Sequence, residues 1–187
     1  MKHLDALLLA LWIAQSGFVV GNAATGNVEV YFSPKGGCTE AVVDALSKAK
    51  TNVLVQAYSF TSPAIAKALT EAHRRGVKVE VILDKSNRTD RYSAATFMQN
   101  NGIPTFIDDR HPIAHNKIMI IDGRTVVTGS FNFTKQAEEN NAENLLVIED
   151  SALAVKYTQN WQTHLAHSKP YERQEKATRR RTLRDIE

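Results

Sequence analysis

From residue 115 the chain reads His-Asn-Lys-Ile-Met-Ile-Ile-Asp, and seven positions past that aspartate comes Gly129-Ser130-Phe131-Asn132. On a strand, residues two apart share a face, so His115 and Lys117 project together and Ser130 and Asn132 form a second such pair. An imidazole can attack phosphorus or carry a proton. An ammonium and two neutral hydrogen-bonding side chains suit the oxygens of a phosphodiester. Asp122 stands at odd separation from His115 and Lys117, so it faces away or enters the turn, and its expected role is structural, accepting turn or backbone hydrogen bonds.

These groups need a frame, and the sequence predicts one. Val28 to Phe32 alternates as a strand does, and Ser33-Pro34-Lys35-Gly36-Gly37 breaks it. Val42, Ala45, Leu46 and Ala49 are spaced for a helix from about Thr39 to Lys50, and residues 53 to 58 form a buried strand. Ser62-Pro63 caps a helix that closes at Gly76. Val77 to Leu83 is an apolar strand, Asp90 to Asn101 a short helix, and Thr105 to Ile107 a brief strand. Beyond residue 110, Lys117 to Ile121 and Thr125 to Thr128 are strands joined at Asp122-Gly123, a hairpin signal. Leu145 to Ile148 is a further strand, and an amphipathic helix runs from Ser151 to about Ala166. The expected fold is α/β, a mixed, largely parallel sheet sandwiched between helices, in one domain over 24–168.

The pattern His-x-Lys-x4-Asp followed by Gly-Ser-x-Asn resembles the signature of the phospholipase D superfamily. In a chain of this composition its first part alone is expected by chance ~0.02 times. Residues 28–150 are also similar to the small single-motif bacterial endonucleases of that superfamily, through Tyr31-Phe32-Ser33-Pro34, Gln56-Ala57-Tyr58-Ser59-Phe60-Thr61 and Ile107-Asp108-Asp109-Arg110. The resemblance implies a phosphodiesterase, foremost a nonspecific endonuclease on DNA and also RNA, using neither metal nor cofactor and passing through a phosphohistidine. It implies catalytic roles for His115, Lys117, Ser130, Asn132 and Glu143, with Lys117, Ser130 and Asn132 binding substrate and Asp122 supporting the site. It further implies that Glu143 hydrogen-bonds the far nitrogen of the His115 ring, fixing its tautomer. Glu138 and Glu139 lie close enough in sequence to be alternatives.

Displacing an alkoxide from phosphorus needs a nucleophile and an acid for the leaving oxygen. This chain holds one complete motif; His167-Ser168-Lys169 is a near miss, with Gln174 where aspartate belongs. Larger members of the superfamily carry two motifs, so one motif implies a homodimer with the site across its two-fold axis. Three alternatives compete. His111 and His115, four apart with Asp108 and Asp109 nearby, could bind a metal, but Pro112 argues against the helix that spacing needs, and His111 is expected to be a loop residue. A phospholipid could replace nucleic acid, since the chemistry at phosphorus is the same; the absence of a Lys- and Arg-rich amphipathic helix past the N-terminal region weighs for nucleic acid. A non-catalytic nucleic-acid-binding module would rest on the basic tail instead.

The 187 residues are 43% hydrophobic and 23% charged, which excludes a disordered, collagenous or polytopic membrane protein. The body from 24 to 168 is electrically balanced, and the excess of +3 sits in the tail 169–187 with its Arg179-Arg180-Arg181 run. Such a run is expected to be a solvated end. The apolar stretch Ala6 to Ala14, broken at Gln15 and Ser16, is shorter than the roughly 18 residues a bilayer demands. With small residues at Gly21, Ala23 and Ala24, it is expected to be a secretory signal over 1–23, cleaved near Ala23 or Ala24, giving a periplasmic or secreted protein without stable membrane association. An uncleaved anchor is the alternative. Cys38 stands alone and is expected to be a small buried hydrophobe.

Overall fold

A computed structural model of the chain describes residues 26–90 and 92–172. The expected secretory signal and the tail beyond residue 172, with its arginine run, lie outside the described residues.

The first half alternates strand and helix: β1 (Asn27–Ser33), α1 (Cys38–Ser47), β2 (Asn52–Ala57), α2 (Pro63–Arg74), β3 (Lys78–Asp84), a 3₁₀ turn at Lys85–Arg88, α3 (Ala95–Asn100) and β4 (Thr105–Asp108). The second half adds β5 (Lys117–Ile121), β6 (Thr125–Gly129), α4 (Lys135–Glu139), β7 (Glu143–Glu149), α5 (Ser151–Leu165) and β8 (Lys169–Pro170). Local chemistry explains several boundaries. Ser62 accepts the Ile65 N–H ahead of proline at the first turn of α2, and Asp150 accepts the Leu153 N–H at the start of α5. Asp90 accepts the Tyr92 N–H through its side chain, so the chain turns there and the expected helix shrinks to Ala95–Asn100.

The eight strands form one mixed sheet in the order β1-β7-β6-β5-β2-β3-β4-β8. Parallel pairing is confined to β2-β3-β4, a smaller share than the alternating first half implies. The reason is the β5-β6-β7 meander: β1 runs parallel to β2, but these three antiparallel strands insert between them. Helices α1, α2 and α3 cover one face over Val53, Val55, Val81, Leu83, Met119, Phe131 and Phe133. Helix α5 covers the other over Leu54, Ile82, Ile118, Ile120 and Val126, where the buried Trp161 donates its indole N–H to the Val55 carbonyl at 2.9 Å. Among the described residues no helix is long and apolar enough to cross a membrane. The sheet also reaches past residue 168, because Lys169-Pro170 pairs with β4 and Tyr171 is buried.

The topology sets where chemistry can occur. With β5 antiparallel to β2, and β6 and β7 following in alternation, β1, β2, β3, β4 and β6 end at the same edge of the sheet at which β5 and β7 begin. His115, Lys117, Ser130, Asn132 and Glu143 all flank that edge, and Asp122 lies at the opposite one.

Candidate active site

The segment entering β5 is pinned on three sides. Asp84, buried at the end of β3, accepts the Ala114 N–H at 2.8 Å; Tyr58, just past β2, donates its N–H to the Asn116 carbonyl at 2.8 Å; and the Lys117 Nζ donates to the His115 carbonyl at 2.7 Å. Between these anchors the His115 ring is exposed and leans on the Tyr58 ring, centroids 4.6 Å apart and planes tilted by 57°. The Lys117 ammonium sits over the same ring, 5.0 Å from its centroid. Asn87 holds that aromatic shelf by donating to the Tyr58 carbonyl at 2.6 Å.

Lys117 is only 6% exposed, and among the described residues no carboxylate forms an ion pair with it. Burial pushes its ammonium below the ordinary lysine range, partly offset by the Glu143 charge. A buried cation without a counter-ion is costly and favours an anionic ligand.

Across the edge, Gly129-Ser130-Phe131-Asn132 leaves β6 by a route that only glycine allows. Gly129 has φ of 152°, and a Cβ there would lie 2.2 Å from the Asn144 carbonyl oxygen. That close approach lets Ser130 and Asn144 clasp each other: the Ser130 N–H donates to Asn144 Oδ1 at 2.8 Å, and the Asn144 N–H donates to Ser130 Oγ at 3.1 Å. Phe131 and Phe133 are buried in the core, so Ser130 and Asn132 project the other way. Asn132 Oδ1 is buried without a hydrogen-bond partner among the described residues. A shallow hollow of about 210 Å³ lined by His115, Lys117, Thr128, Gly129, Tyr157 and Asn160 opens beside the imidazole. A larger hollow of about 440 Å³ surrounds Asp122 at the far edge, away from the imidazole, and is unrelated to this chemistry.

Two expectations about carboxylates separate here. Glu143 begins β7 at the site's edge, yet no hydrogen bond joins it to the His115 ring among the described residues; its Oε1 accepts from Asn141 Nδ2 at 3.0 Å. Within one chain, Asn141 lies two residues back at the same turn while the imidazole packs on Tyr58. Glu138 is engaged elsewhere, accepting the Gly37 and Thr39 N–H groups at 3.2 and 2.7 Å and so capping α1. Glu139 is on the surface with Lys135. Asp122, at φ of 54° in the β5-β6 turn, accepts the Lys50 N–H at 2.9 Å, the Thr51 N–H at 2.8 Å, the Asn52 N–H at 3.1 Å and the Thr51 hydroxyl at 2.9 Å.

Residues 42–165 match the family model described as cardiolipin synthase, phospholipase D-like domain. The chain belongs to the phospholipase D superfamily. It is a phosphodiesterase of that superfamily, and among its relatives is a phospholipase D of Rickettsia typhi, 46% identical over 135 residues that cover 72% of this chain and 66% of the relative. A mitochondrial cardiolipin hydrolase of Xenopus laevis is 33% identical over 105 residues, 56% of this chain and 50% of that protein. Among solved structures, the phospholipase D family member Nuc from Salmonella typhimurium superposes with a TM-score of 0.75 at 42% identity, over 79% of this chain and 99% of that one. The chain spans about two thirds of the length of the rickettsial relative.

In this phosphodiesterase the motif residues were visible in the sequence, but their supports were not. Tyr58 just past β2, Asp84 at the end of β3 and Asn87 in the 3₁₀ turn after it come from elsewhere in the chain, and only their positions beyond apolar runs hint at a role. His111 is a loop residue, as expected, but its neighbours are not His115. It joins His164 and His167 around the buried carboxylate of Asp108. Both pairs, Asp108 with His111 and His164 with His167, are spaced three apart, a signal that only the fold unites. Cys38 is buried, and burial pushes its thiol up to about 11, which removes it as a nucleophile.

Proposed function

We propose that this phosphodiesterase works through a covalent phosphohistidine on His115, at a site completed by a second copy of the chain. The carrying observation is the exposed His115 imidazole beside the buried Lys117 ammonium, which has no ion pair among the described residues. A phosphodiester anion supplies the missing negative charge and brings phosphorus to the ring. The neutral His115 nitrogen forms a bond to phosphorus as the P–O bond to the leaving group breaks, and His115 of the partner subunit gives the leaving oxygen its proton. That second ring then takes a proton from water, whose oxygen displaces His115 from phosphorus and releases a phosphate monoester. Lys117, with Ser130 and Asn132, holds the non-bridging oxygens.

The homodimer rests on the need for two imidazoles and on an apolar surface in the right place. Val28, Val30 and Phe32 on β1 are exposed, and with Leu146 and Ile148 of β7 they continue the sheet face that α5 covers elsewhere. They lie on the two strands whose ends carry Ser33, Glu143 and Asn144, so a copy docked there adjoins the site.

For the substrate, the names of the curated relatives support a phospholipid, which reverses the order expected from the sequence. Phospholipase D proteins of Rickettsia are 40–46% identical to this chain, and cardiolipin hydrolases follow at 31–35%. Nucleic acid is the second reading, favoured by the resemblance to single-motif endonucleases and by the likeness to Nuc across 99% of that chain. Export to the periplasm or beyond, by way of the N-terminal apolar segment, is part of the same proposal. The test is hydrolysis by the full chain, in chelator, of phosphatidylcholine vesicles, cardiolipin vesicles, plasmid DNA and RNA, for wild type and His115→Ala. Headgroup release from vesicles that His115→Ala abolishes supports the phospholipid reading; cleavage of nucleic acid alone overturns it in favour of the second. Turnover of none, or turnover untouched by His115→Ala, overturns the whole scheme.

A further inference from the structure

We propose that Asp108, His111, His164 and His167 form a structural site for one divalent transition metal of the zinc class, distinct from the catalytic His115. One candidate ligand atom from each of the four lies within 4.8 Å of all the others. Asp108 Oδ2 stands 2.8 Å from His164 Nδ1, 3.1 Å from His111 Nδ1 and 3.3 Å from His167 Nε2. In a tetrahedral zinc site with bonds of about 2.0–2.1 Å, ligand atoms stand ~3.3 Å apart, so the contacts to Asp108 Oδ2 would open by at most about half an ångström while pairs as far as 4.8 Å apart would draw together by up to ~1.5 Å, movements that side-chain rotation of the three histidines can supply. The three rings are evenly disposed, their centroids 5.0, 5.2 and 5.4 Å apart in pairs.

Without a metal the arrangement is poorly satisfied. Three imidazoles crowd one carboxylate oxygen, and among the described residues the buried His167 Nε2 makes no well-aligned hydrogen bond although it is 3.3 Å from that oxygen. The Asp108 side chain is fully buried, and those of His164 and His167 are 16% exposed. Burial pushes the Asp108 carboxyl up, but the facing imidazoles of His164, His167 and His111 outweigh it and hold it at about 2, so the ligand is ionised. The other oxygen, Oδ1, accepts the Arg110 N–H at 3.2 Å, an outer contact that orients the carboxylate. Three imidazoles and one carboxylate suit zinc, cobalt or nickel rather than calcium or magnesium, which take all-oxygen sets. Four protein ligands close the coordination sphere, which marks a structural site rather than a catalytic one.

The ion would clip the end of α5 to the loop after β4. His111 lies four residues before His115 in that loop, and Lys85 already holds it by donating to the His111 carbonyl at 3.1 Å. Metal binding would therefore fix the segment that presents the catalytic imidazole while taking no part in the reaction.

The test uses untagged full-length protein loaded with Zn²⁺, freed of excess and measured for metal by mass spectrometry, with Co²⁺ loading followed by visible absorption. Wild type is expected to retain about one zinc per chain and to show the intense visible bands of tetrahedral cobalt. Its melting temperature is expected to rise by roughly 5 to 10 °C when free zinc exceeds Kd about 100-fold. His167→Gln is expected to weaken zinc binding by more than the 10–100-fold that loss of an outer contact costs, and His73→Gln to leave it unchanged. Zinc retained equally by His167→Gln and by His164→Gln/His167→Gln overturns the proposal, as does a wild type that keeps no zinc. If the double variant fails to fold, the cobalt spectrum of wild type still decides, since six-coordinate or absent bands refute the site.

Discussion

Asp122 belongs to the motif by sequence and to the scaffold by position, and its replacement separates the two roles. Its carboxylate gathers the N–H groups of Lys50, Thr51 and Asn52 and the Thr51 hydroxyl, tying the β5-β6 turn to the connection between α1 and β2. Hydrogen bonds to a charged group contribute about 1.5–3 kcal/mol each when sheltered, and the partial exposure of this turn cuts that substantially, so Asp122→Ala should cost about 2–4 kcal/mol in all. For a domain of this size the melting temperature should fall by roughly 5 to 15 °C. Asp122→Asn keeps an Oδ1-like acceptor but turns an amide N–H toward the Lys50 N–H that Oδ2 now accepts, so it should lose somewhat less. The acid limb follows from the same contacts. Burial raises the Asp122 carboxyl, the backbone N–H bonds more than offset this, and the folded value lies below the unfolded one. The stabilisation is thus complete above the unfolded carboxylate value of about 4 and is lost as pH falls through the lower folded value. Calorimetry of wild type and Asp122→Asn from pH 7 to pH 3 should show the gap between them closing on the acid side. Initial rates of both proteins well below their melting temperatures should agree within about 3-fold, since this carboxylate touches no reacting atom. A variant with unchanged melting temperature and activity reduced 100-fold or more would refute the structural role.

Four further outcomes follow from the site. Gly129→Ala forces a methyl within 2.2 Å of the Asn144 carbonyl oxygen and should part the Ser130–Asn144 clasp, lowering activity at least 10-fold in any diester assay; wild-type rates would contradict the need for that approach. Tyr58→Phe keeps the ring under His115 and Lys117 and should retain most activity, whereas Tyr58→Leu should lose most of it with a higher KM; equal effects of both would show that the hydroxyl, not the face, matters. Isolated heterodimers of wild type with His115→Asn should lack a complete site and be nearly inactive, and undiminished turnover would refute the shared-site scheme. Chelation should lower the melting temperature through the Asp108 cluster while the initial rate of still-folded protein persists; an immediate loss of rate restored by zinc would place a metal in the reaction instead.

Much of this was legible before any coordinates. The motif at 115–132 declared its chemistry because residue types at fixed spacing on strands must share a face, and strong local signals such as Ser62-Pro63 and Asp122-Gly123 located helix and turn boundaries. The parallel share of the sheet was overestimated because sequence order shows that β1, α1 and β2 form a crossover but not that β5, β6 and β7 insert between the two strands. Helix α3 came out short because Asp90 turns the backbone with its side chain, a competition that apolar periodicity does not register. Glu143 is tied to the imidazole by resemblance alone, and within one chain its carboxylate meets Asn141, a neighbour that spacing does not single out. The Asp108 cluster was hidden for a different reason: its halves are 56 residues apart, from Asp108 to His164, and meet only because α5 crosses behind β4. Sequence proximity paired His111 with His115; the fold pairs it with α5.

The proposed mechanism requires the His115 ring nitrogen to bond to phosphorus during turnover. The direct measurement is to quench wild-type enzyme in alkali while it turns over a simple aryl phosphodiester, digest it, and locate the phosphoryl group by tandem mass spectrometry. A phosphoramidate on His115 should appear within the first turnover, disappear as substrate is exhausted, and be absent from His115→Asn. Steady turnover by His115→Asn, or a phosphoryl group found on any other residue, would contradict it.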